Sequence, residues 1–138
     1  MDSIGTKAPG RRKVILTIII SVAVIALAIG AYLLISLQNY KKDVAAIEIR
    51  NVDMATVEDG EYFGSSDVGF VSAKVRVLVE NHVLIEIELL EHNNGRGAAA
   101  EVLPDEMIKE QRVDLDTITG ATSSSKVIME AVYNALTG

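Results

Sequence analysis

The chain has 138 residues, of which 49% are hydrophobic and none is cysteine. Without a thiol it can form no disulfide, thiolate zinc site, iron–sulfur cluster, thiol-attached haem or dithiol redox centre. Residues 43–138 hold 18 acidic and 7 basic residues, a formal charge of −11. This charge argues against nucleic-acid binding, which needs a basic surface, and against adhesion to anionic lipid. The two histidines are too few for a histidine-rich metal site, so no metal ligand is predicted.

The first element in chain order is an uninterrupted apolar run. Residues 1–13 contain glycine, proline and basic side chains and predict a short cytoplasmic tail. Residues 14–37 are 24 consecutive residues without a charge. A helix of that length spans about 36 Å, which exceeds the roughly 30 Å of a hydrocarbon core. Residues 14–37 therefore predict one transmembrane helix that holds the chain in membrane lipid.

A cleaved signal peptide is the alternative interpretation of this run. Ala28-Ile29-Gly30 resembles a small-residue cleavage site. Signal sequences have apolar segments of about 7–15 residues, whereas Leu33, Leu34 and Leu37 continue the run past that site. The length favours an anchor that is not cleaved.

Flanking charge predicts the orientation of the helix. Lys7 and the three basic residues 11–13 precede it, whereas only Lys41 and Lys42 follow it. Cytoplasmic flanks carry the excess of Lys and Arg. We therefore expect a single-pass protein of the cell membrane with its N-terminus in the cytoplasm and its C-terminal domain outside.

The strands are predicted from alternation and turn signals. Residues 38–56 predict a juxtamembrane linker with a short strand at Ala46–Arg50, and residues 57–138 predict one small domain. Tyr62–Gly64 predicts an edge strand. Val71–Val79 alternates clearly, and after a hairpin at residues 80–82 the alternation resumes over Val83–Leu89. The strand Val83–Leu89 would bury Val83, Ile85, Ile87 and Leu89 on one face and expose Glu86 and Glu88 to water on the other.

Helices are predicted after a glycine-rich loop at residues 93–97. Ala98–Leu103 predicts a helical turn, and Pro104 suits the start of a helix that continues to Arg112. A last helix is predicted from Ser123–Ser125 to about Leu136, with an apolar stripe of Val127, Ile128, Ala131, Val132, Ala135 and Leu136. The predicted fold class is α+β: a small antiparallel sheet with helices packed on it, preceded by one transmembrane helix.

The turn before the last helix is the most informative local pattern. Asp116-Thr117-Ile118-Thr119-Gly120-Ala121-Thr122 runs into a serine triplet and Lys126. Gly120 can adopt backbone conformations that other residues rarely adopt. A helix N-terminus has unpaired N–H groups and binds phosphate readily. The alternative is an ordinary helix cap, because Ser and Thr are common N-cap residues.

Three segments give this chain a family resemblance. Asp59–Gly64 (DGEYFG), Leu90–His92 followed by Asn94–Gly97 (LEH, NGRG) and Thr119–Thr122 (TGAT) followed by Ser124–Lys126 (SSK) occur in the same order as in the FMN-binding domain family. The chain resembles that family from about Val57 to Leu136. The family includes extracytoplasmic subunits of sodium-pumping NADH:quinone oxidoreductase and of the related Rnf complex. The chain lacks their longer insertions, which favours a small anchored carrier.

The resemblance implies a cofactor and its attachment site. By position in the family motif Asp-x-x-(Ser/Thr)-Gly-Ala-Thr, Thr122 would carry FMN through a phosphoester made by a separate magnesium-dependent flavin transferase. The other residues implied in cofactor binding or in transferase recognition are Asp116, Thr119, Gly120, Ala121, Ser123 and Lys126. The implied partners are this transferase and redox partners in the membrane or outside the cell.

Several alternatives accompany this interpretation. Tyr62, Phe63 and His92 lie near the ring of FMN in one hypothesis. A core or edge-strand position explains the two aromatics at least as well. For His92 a loop, turn or strand-end position is favoured. A serine hydrolase is disfavoured because no histidine–carboxylate partner motif accompanies Ser123–Ser125. The function expected is electron transfer rather than catalysis by a self-standing enzyme. The competing class is a membrane-anchored binding or structural module that binds FMN reversibly or not at all.

Overall fold

The computed structural model describes Gly5 and residues 8–138. The predicted cytoplasmic tail, residues 1–13, therefore falls partly outside the described residues. The chain divides into two compact units, one that ends at Asn39 and one that comprises Tyr40–Gly138.

A single long helix, α1, comprises Arg11–Ala46 and contains the whole predicted span. Its apolar side chains are exposed, and the helix is long and apolar enough to cross a membrane. It also includes residues 38–46, which were predicted as part of a linker. The strand predicted at Ala46–Arg50 is wrong, because residues 47–53 form no regular structure. The alternation there reflects one-sided burial, in which Ile47 is buried in the core of the second unit and Ile49 packs against it partly buried.

The second unit is built on a three-stranded antiparallel sheet in the order β1-β2-β3. The strands are β1 (Gly60–Asp67), β2 (Ser72–Glu80) and β3 (Val83–Asn93). The predicted edge strand at Tyr62–Gly64 is confirmed as the middle of β1. The predicted alternation in β2 is also confirmed, because Val75, Val77 and Val79 are fully buried on one face. This sheet, with the helices described below, confirms the α+β class.

The β2–β3 connection is a two-residue hairpin. Asn81 and His82 both have left-handed backbone conformations, with φ of 51° and 60°, as a type I′ turn requires. The carboxylate of Asp59 lies against this turn, where Oδ1 accepts a hydrogen bond of 3.2 Å from the backbone N–H of His82. Asp59 thus joins the segment before β1 to the hairpin.

This contact predicts a pH-dependent stability. Hydrogen bonds from the backbone of Asn81 and of His82 hold the pKa of the Asp59 carboxyl below its ordinary 3.8. A carboxyl with a lowered folded-state pKa stabilises the fold above the unfolded-state value and loses that contribution as pH falls through the folded-state pKa. We expect Asp59→Asn to lower Tm near neutral pH and the difference from the parent to vanish in acid. A pH series of thermal melts checks this, and a difference that persists unchanged in acid would contradict it.

Two β-bulges change the phase of β3. Val79 pairs with Leu84 but Leu78 pairs with Glu86, so Ile85 is an extra residue; Leu90 is extra in the same way. The predicted inward face was therefore wrong at its start, because Val83 and Ile85 are 41% and 45% exposed whereas Leu84 is 1% exposed. A bulge places two successive residues opposite one and shifts the alternation. The inward positions of β3 become Leu84 and Ile87, which are buried, and Leu89 and His92, which are partly buried.

The opposite face of the sheet is polar, as predicted for Glu86 and Glu88. Arg76 of β2 lies between them, at 2.7 Å from Glu86 and 2.9 Å from Glu88, and at 3.4 Å from Glu61 of β1. The hydrogen bond with Glu88 is the main cause that raises the pKa of Arg76. One cation therefore links all three strands on the solvent side.

Helices cover the apolar face. A 3-10 helix (Ala98–Val102) leads into α2 (Leu103–Glu110), and α3 comprises Thr122–Thr137. The predicted helix after Pro104 is confirmed, but it ends before Arg112 because Gln111 adopts a left-handed conformation with φ of 54°. All six residues of the predicted α3 stripe are buried. In β1, Gly64 lies so close to α3 that a Cβ there would overlap backbone atoms of Ala131 and Ala135.

Candidate functional site

The site is built around the turn that precedes α3. Gly120 has φ of 80°, a left-handed conformation that glycine adopts at little cost. The backbone N–H of Ala121 then donates to the carbonyl of Ile118 at 2.9 Å, and α3 begins at the next residue. This tight turn leaves Thr122 as the first residue of the helix.

Thr122 does not cap the helix. The N-cap position belongs to Ala121, which makes no side-chain cap hydrogen bond. Instead the hydroxyl of Ser125 closes the turn, because it accepts from the N–H of Ile118 at 3.0 Å and donates to the carbonyl of Ala121 at 2.7 Å. The capping interpretation of the Thr122 hydroxyl was therefore wrong. Thr122 is exposed, and within the described part of the chain no hydrogen bond engages its hydroxyl.

Thr122 lies on the wall of a cavity of about 350 Å³. Three parts of the second unit form that wall: Tyr40 with Val71, the loop residues Asn94, Arg96 and Gly97, and the turn at residues 120–124. The volume is within the range of small-molecule sites, about 300–1,000 Å³. The structure thus brings four of the predicted site residues together here, namely Gly120, Ala121, Thr122 and Ser123.

The other predicted site residues lie elsewhere. Thr119 is exposed and is not on the cavity wall. The ammonium group of Lys126 is 3.4 Å from the carbonyl oxygen of Val44, at the end of α1. Asp116 is exposed and lines a second cavity, of about 340 Å³, on whose wall Arg112 and Asp114 also lie.

Around Asp116 the charges are paired locally. Arg112 donates to both carboxylate oxygens of Asp114, at 2.7 and 2.8 Å. This bidentate contact lowers the pKa of Asp114 and raises that of Arg112. Asp116 is therefore exposed at the edge of a charge-paired surface, separate from the cavity that contains Thr122.

Two residues on the cavity wall were not predicted. Arg96 is an exposed cation in the glycine-containing loop. Tyr40 follows the apolar run and stacks edge-on against Phe70, with ring centroids 5.4 Å apart. Local sequence signals exist for each, a cation in a flexible loop and an aromatic beside an anchor. Only tertiary packing places both beside Thr122.

The aromatic residues of β1 are not part of this cavity. The hydroxyl of Tyr62 donates to the carbonyl of Glu58 at 2.6 Å, and Phe63 is 60% exposed. Neither lines the wall that contains Thr122. Their structure agrees with the strand interpretation given for them.

The sequence favoured a loop position for His92, but the residue lies near the end of a strand. It belongs to β3, and its side chain is only 3% exposed. Nδ1 is 2.9 Å from Oε1 of Glu101, and Nε2 is 3.0 Å from Oγ of Ser124. The amide of Asn94 donates to the same Glu101 oxygen at 3.3 Å. The second bulge of β3 explains the inward direction, which no local pattern indicated.

The serine triplet has the histidine–carboxylate partner that the sequence did not reveal. A histidine–carboxylate pair does lie beside a serine of the 123–125 triplet, although it is not visible as a sequence motif. Ser124 is the third residue of α3 and is 1% exposed. It therefore lacks the exposed strand-to-helix elbow of α/β-hydrolase nucleophiles.

Gly97 explains how the loop fits against the helix. A Cβ at this position would collide with the side chain of Ser124, with the two Cβ atoms 2.6 Å apart. Only glycine therefore lets the loop of Asn94 and Arg96 lie against the first turn of α3. Within the described residues, no cluster of three or more acidic or histidine side chains could hold a metal ion.

Comparison with known proteins gives one family match. The family model of the FMN-binding domain matches residues 69–137, which is half of the chain. The matched segment contains β2, β3, α2 and α3, and every residue of the cavity wall except Tyr40. Asp59–Gly64 precedes it. No curated protein matches the chain.

Proposed function

The chain belongs to the FMN-binding domain family, and from this premise we propose that it is a membrane-anchored, extracytoplasmic electron-transfer flavoprotein with FMN attached to Thr122. One observation carries the proposal. The Thr122 hydroxyl is exposed at the start of α3, is not used as a cap, and lies on the wall of the cavity of about 350 Å³. A hydroxyl with these properties is available for a phosphoester bond.

The attachment reaction balances without a redox step. Thr122 Oγ would form a bond to the phosphorus of the FMN unit of FAD, the bond between the two phosphates would break, and AMP would leave. The threonine proton is removed in the same reaction. The flavin transferase would supply the catalytic groups. Asp116, Thr119 and Gly120 would then belong to the surface that the transferase contacts.

The residues on the cavity wall suit FMN chemically. The N–H groups at the start of α3 have no partners within the helix and favour an anion. Arg96 adds a positive charge on the same wall, which matters in a segment whose formal charge is −11. Tyr40 and Val71 add an aromatic and an apolar surface for a flat ring. A covalent bond retains an anionic cofactor that this acidic unit would otherwise hold poorly.

The proposed location rests on α1. A helix long and apolar enough to cross a membrane precedes the FMN-binding domain, and the more basic flank lies before it. By the positive-inside rule the domain would be extracytoplasmic. Its electron donors and acceptors would be proteins or small carriers of the membrane or of the space outside it.

The division of labour follows from the chemistry of FMN. The cofactor supplies reversible electron transfer, and the protein binds it, limits its access to solvent and adjusts its electrostatics. Arg96 and the start of α3 would bind the phosphate, and the wall formed by Tyr40 would exclude water.

The test is co-expression of the full chain with a flavin transferase. We expect flavin fluorescence on the denatured protein band and a mass increase equal to one FMN minus one water. Both should be absent when an inactive transferase is used. Flavin that is present in the native protein but lost on denaturation would instead establish reversible binding. A protein with no flavin in either state would reject the proposal.

A further inference from the structure

Glu101, His92 and Ser124 form a continuous hydrogen-bonded chain that runs to the cavity wall. The distances are 2.9 Å from Glu101 Oε1 to Nδ1 and 3.0 Å from Nε2 to Ser124 Oγ. Glu101 is about half exposed, His92 is buried and Ser124 lines the cavity beside Thr122. These hydrogen bonds therefore connect solvent, through Glu101 and His92, with the first turn of α3.

The carboxylate of Glu101 determines which nitrogen of the neutral His92 imidazole carries the proton. Glu101 can only accept when ionised, so Nδ1 carries a proton and Nε2 accepts from the hydroxyl of Ser124 when His92 is neutral. When His92 is charged, Nε2–H donates to Ser124 Oγ instead. The hydroxyl proton of Ser124 is then free to point towards the cavity. Protonation of His92 thus adds a buried positive charge and turns Ser124 from a donor to His92 into a donor to the cavity.

Of the strand and hydrogen-bond partners that the described residues give His92, one, Glu101, is charged. Across the sheet His92 pairs with Ala73 of β2, which is uncharged. The 3-10 helix contributes Glu101, α3 contributes Ser124, and the loop contributes Asn94, which binds Glu101. Arg96, in the same loop, lies on the cavity wall. An anion in the cavity would therefore meet Arg96 and, when His92 is protonated, a second cation behind Ser124.

From this geometry we propose that His92 is a proton-linked phosphate-positioning residue, which takes up a proton when the FMN phosphate occupies the cavity. The inference rests on the proposed function. The phosphate favours the charged imidazole because opposite charges stabilise each other at short range. By linkage the charged imidazole favours the phosphate by the same factor. No electron is transferred in this step, and the proton comes from water.

The test compares the full chain with and without FMN, both solubilised in detergent and labelled with ¹⁵N-histidine. The midpoint of the NMR pH titration of His92 is expected about one pH unit higher in the FMN-loaded chain, the lower end of the effect of a nearby opposite charge. His82 is the internal control, because its Nδ1 contacts the carbonyl of Val57 at the hairpin. His92→Gln assigns the two signals.

A matched pair of variants separates proton linkage from packing. Ser124→Ala removes the hydroxyl that joins His92 to the cavity and should reduce the shift, because only the direct attraction between the charges remains. Thr117→Ala removes a hydroxyl from the turn before α3, off the cavity wall and without a hydrogen bond to His92, and should retain it. Thermal melts show whether each variant is folded.

Three results would overturn the inference. They are an equal midpoint with and without FMN, equal shifts for His92 and His82, or a neutral His92 protonated at Nε2 in the unloaded chain. If transferase leaves no covalent flavin, the covalent proposal fails by itself. The unloaded chain is then titrated with FMN and with riboflavin, which lacks the phosphate. A His92 shift with FMN alone supports the inference, and no shift or the same shift with both overturns it.

Discussion

Replacing Thr122 with alanine should abolish covalent flavin entirely while the protein remains folded. The variant lacks the one oxygen that the phosphoester would need, and Thr122 is exposed, so its loss removes no buried contact. Exposed substitutions of this kind usually change stability by less than about 0.5 kcal/mol. The measurement is flavin fluorescence of the denatured band after co-expression with transferase, with intact mass as a second readout.

Two matched variants define what the loss means. Thr117→Ala removes a threonine from the same turn, and Thr117 lines neither cavity, so loading should persist. Thr122→Ser replaces the secondary hydroxyl with a primary one and should retain attachment, because the phosphoester needs only an oxygen nucleophile. Full covalent loading of Thr122→Ala would move the attachment site to another residue, and loss of loading in Thr117→Ala would point to general damage of the turn.

Replacing Gly64 with alanine should strongly destabilise the second unit, although the change adds only one methyl group. The added Cβ would overlap the carbonyl oxygen of Ala131 and the backbone nitrogen of Ala135, and would lie 2.7 Å from the Cβ of Ala135. Two of these three are backbone atoms of a regular helix, so no side chain can rotate away. We expect a loss of about 3 kcal/mol, the upper part of the usual range for overpacking.

The loss should lower Tm by more than about 10 °C for a unit of this size. Circular dichroism melts of the full chain in detergent measure it, with the β-sheet signal followed separately from that of α1. Ser65→Ala is the control, because Ser65 is the exposed neighbour of Gly64 and contributes only its backbone carbonyl to α3, through Asn134. Equal stability of the two variants would mean that α3 does not lie this close to β1.

The sequence predicted the features of the fold that depend on local patterns, and it did not predict those that depend on contacts between distant residues. The strand β2 was predicted because Val75, Val77 and Val79 all follow one uninterrupted alternation. The face of β3 was not, because its two bulges depend on pairing with β2 and leave no mark in local hydrophobicity. His92 was assigned to a loop for the same reason, since only the second bulge turns it inward.

The site was predicted in its local part only. Residues 120–123 are neighbours in the chain, so a turn followed by a helix was enough to place them together. Arg96 and Tyr40 reach the cavity wall through tertiary packing over many residues, which one sequence does not reveal. Lys126 was expected beside the phosphate, but one helix position decides its direction, and its ammonium group lies instead against the carbonyl of Val44.

The close packing of α3 on the sheet has a consequence for biosynthesis. The inner face of β2 is covered by the last helix of the chain, whose side chains Val127, Ile128 and Val132 are fully buried. Until the ribosome has made residues 122–137, the β1–β2–β3 sheet has an uncovered apolar face, and such a surface is prone to aggregation. Thr122 opens that same helix. The attachment turn therefore takes its folded form only after α3, which extends to Thr137, has been made and has packed on the sheet.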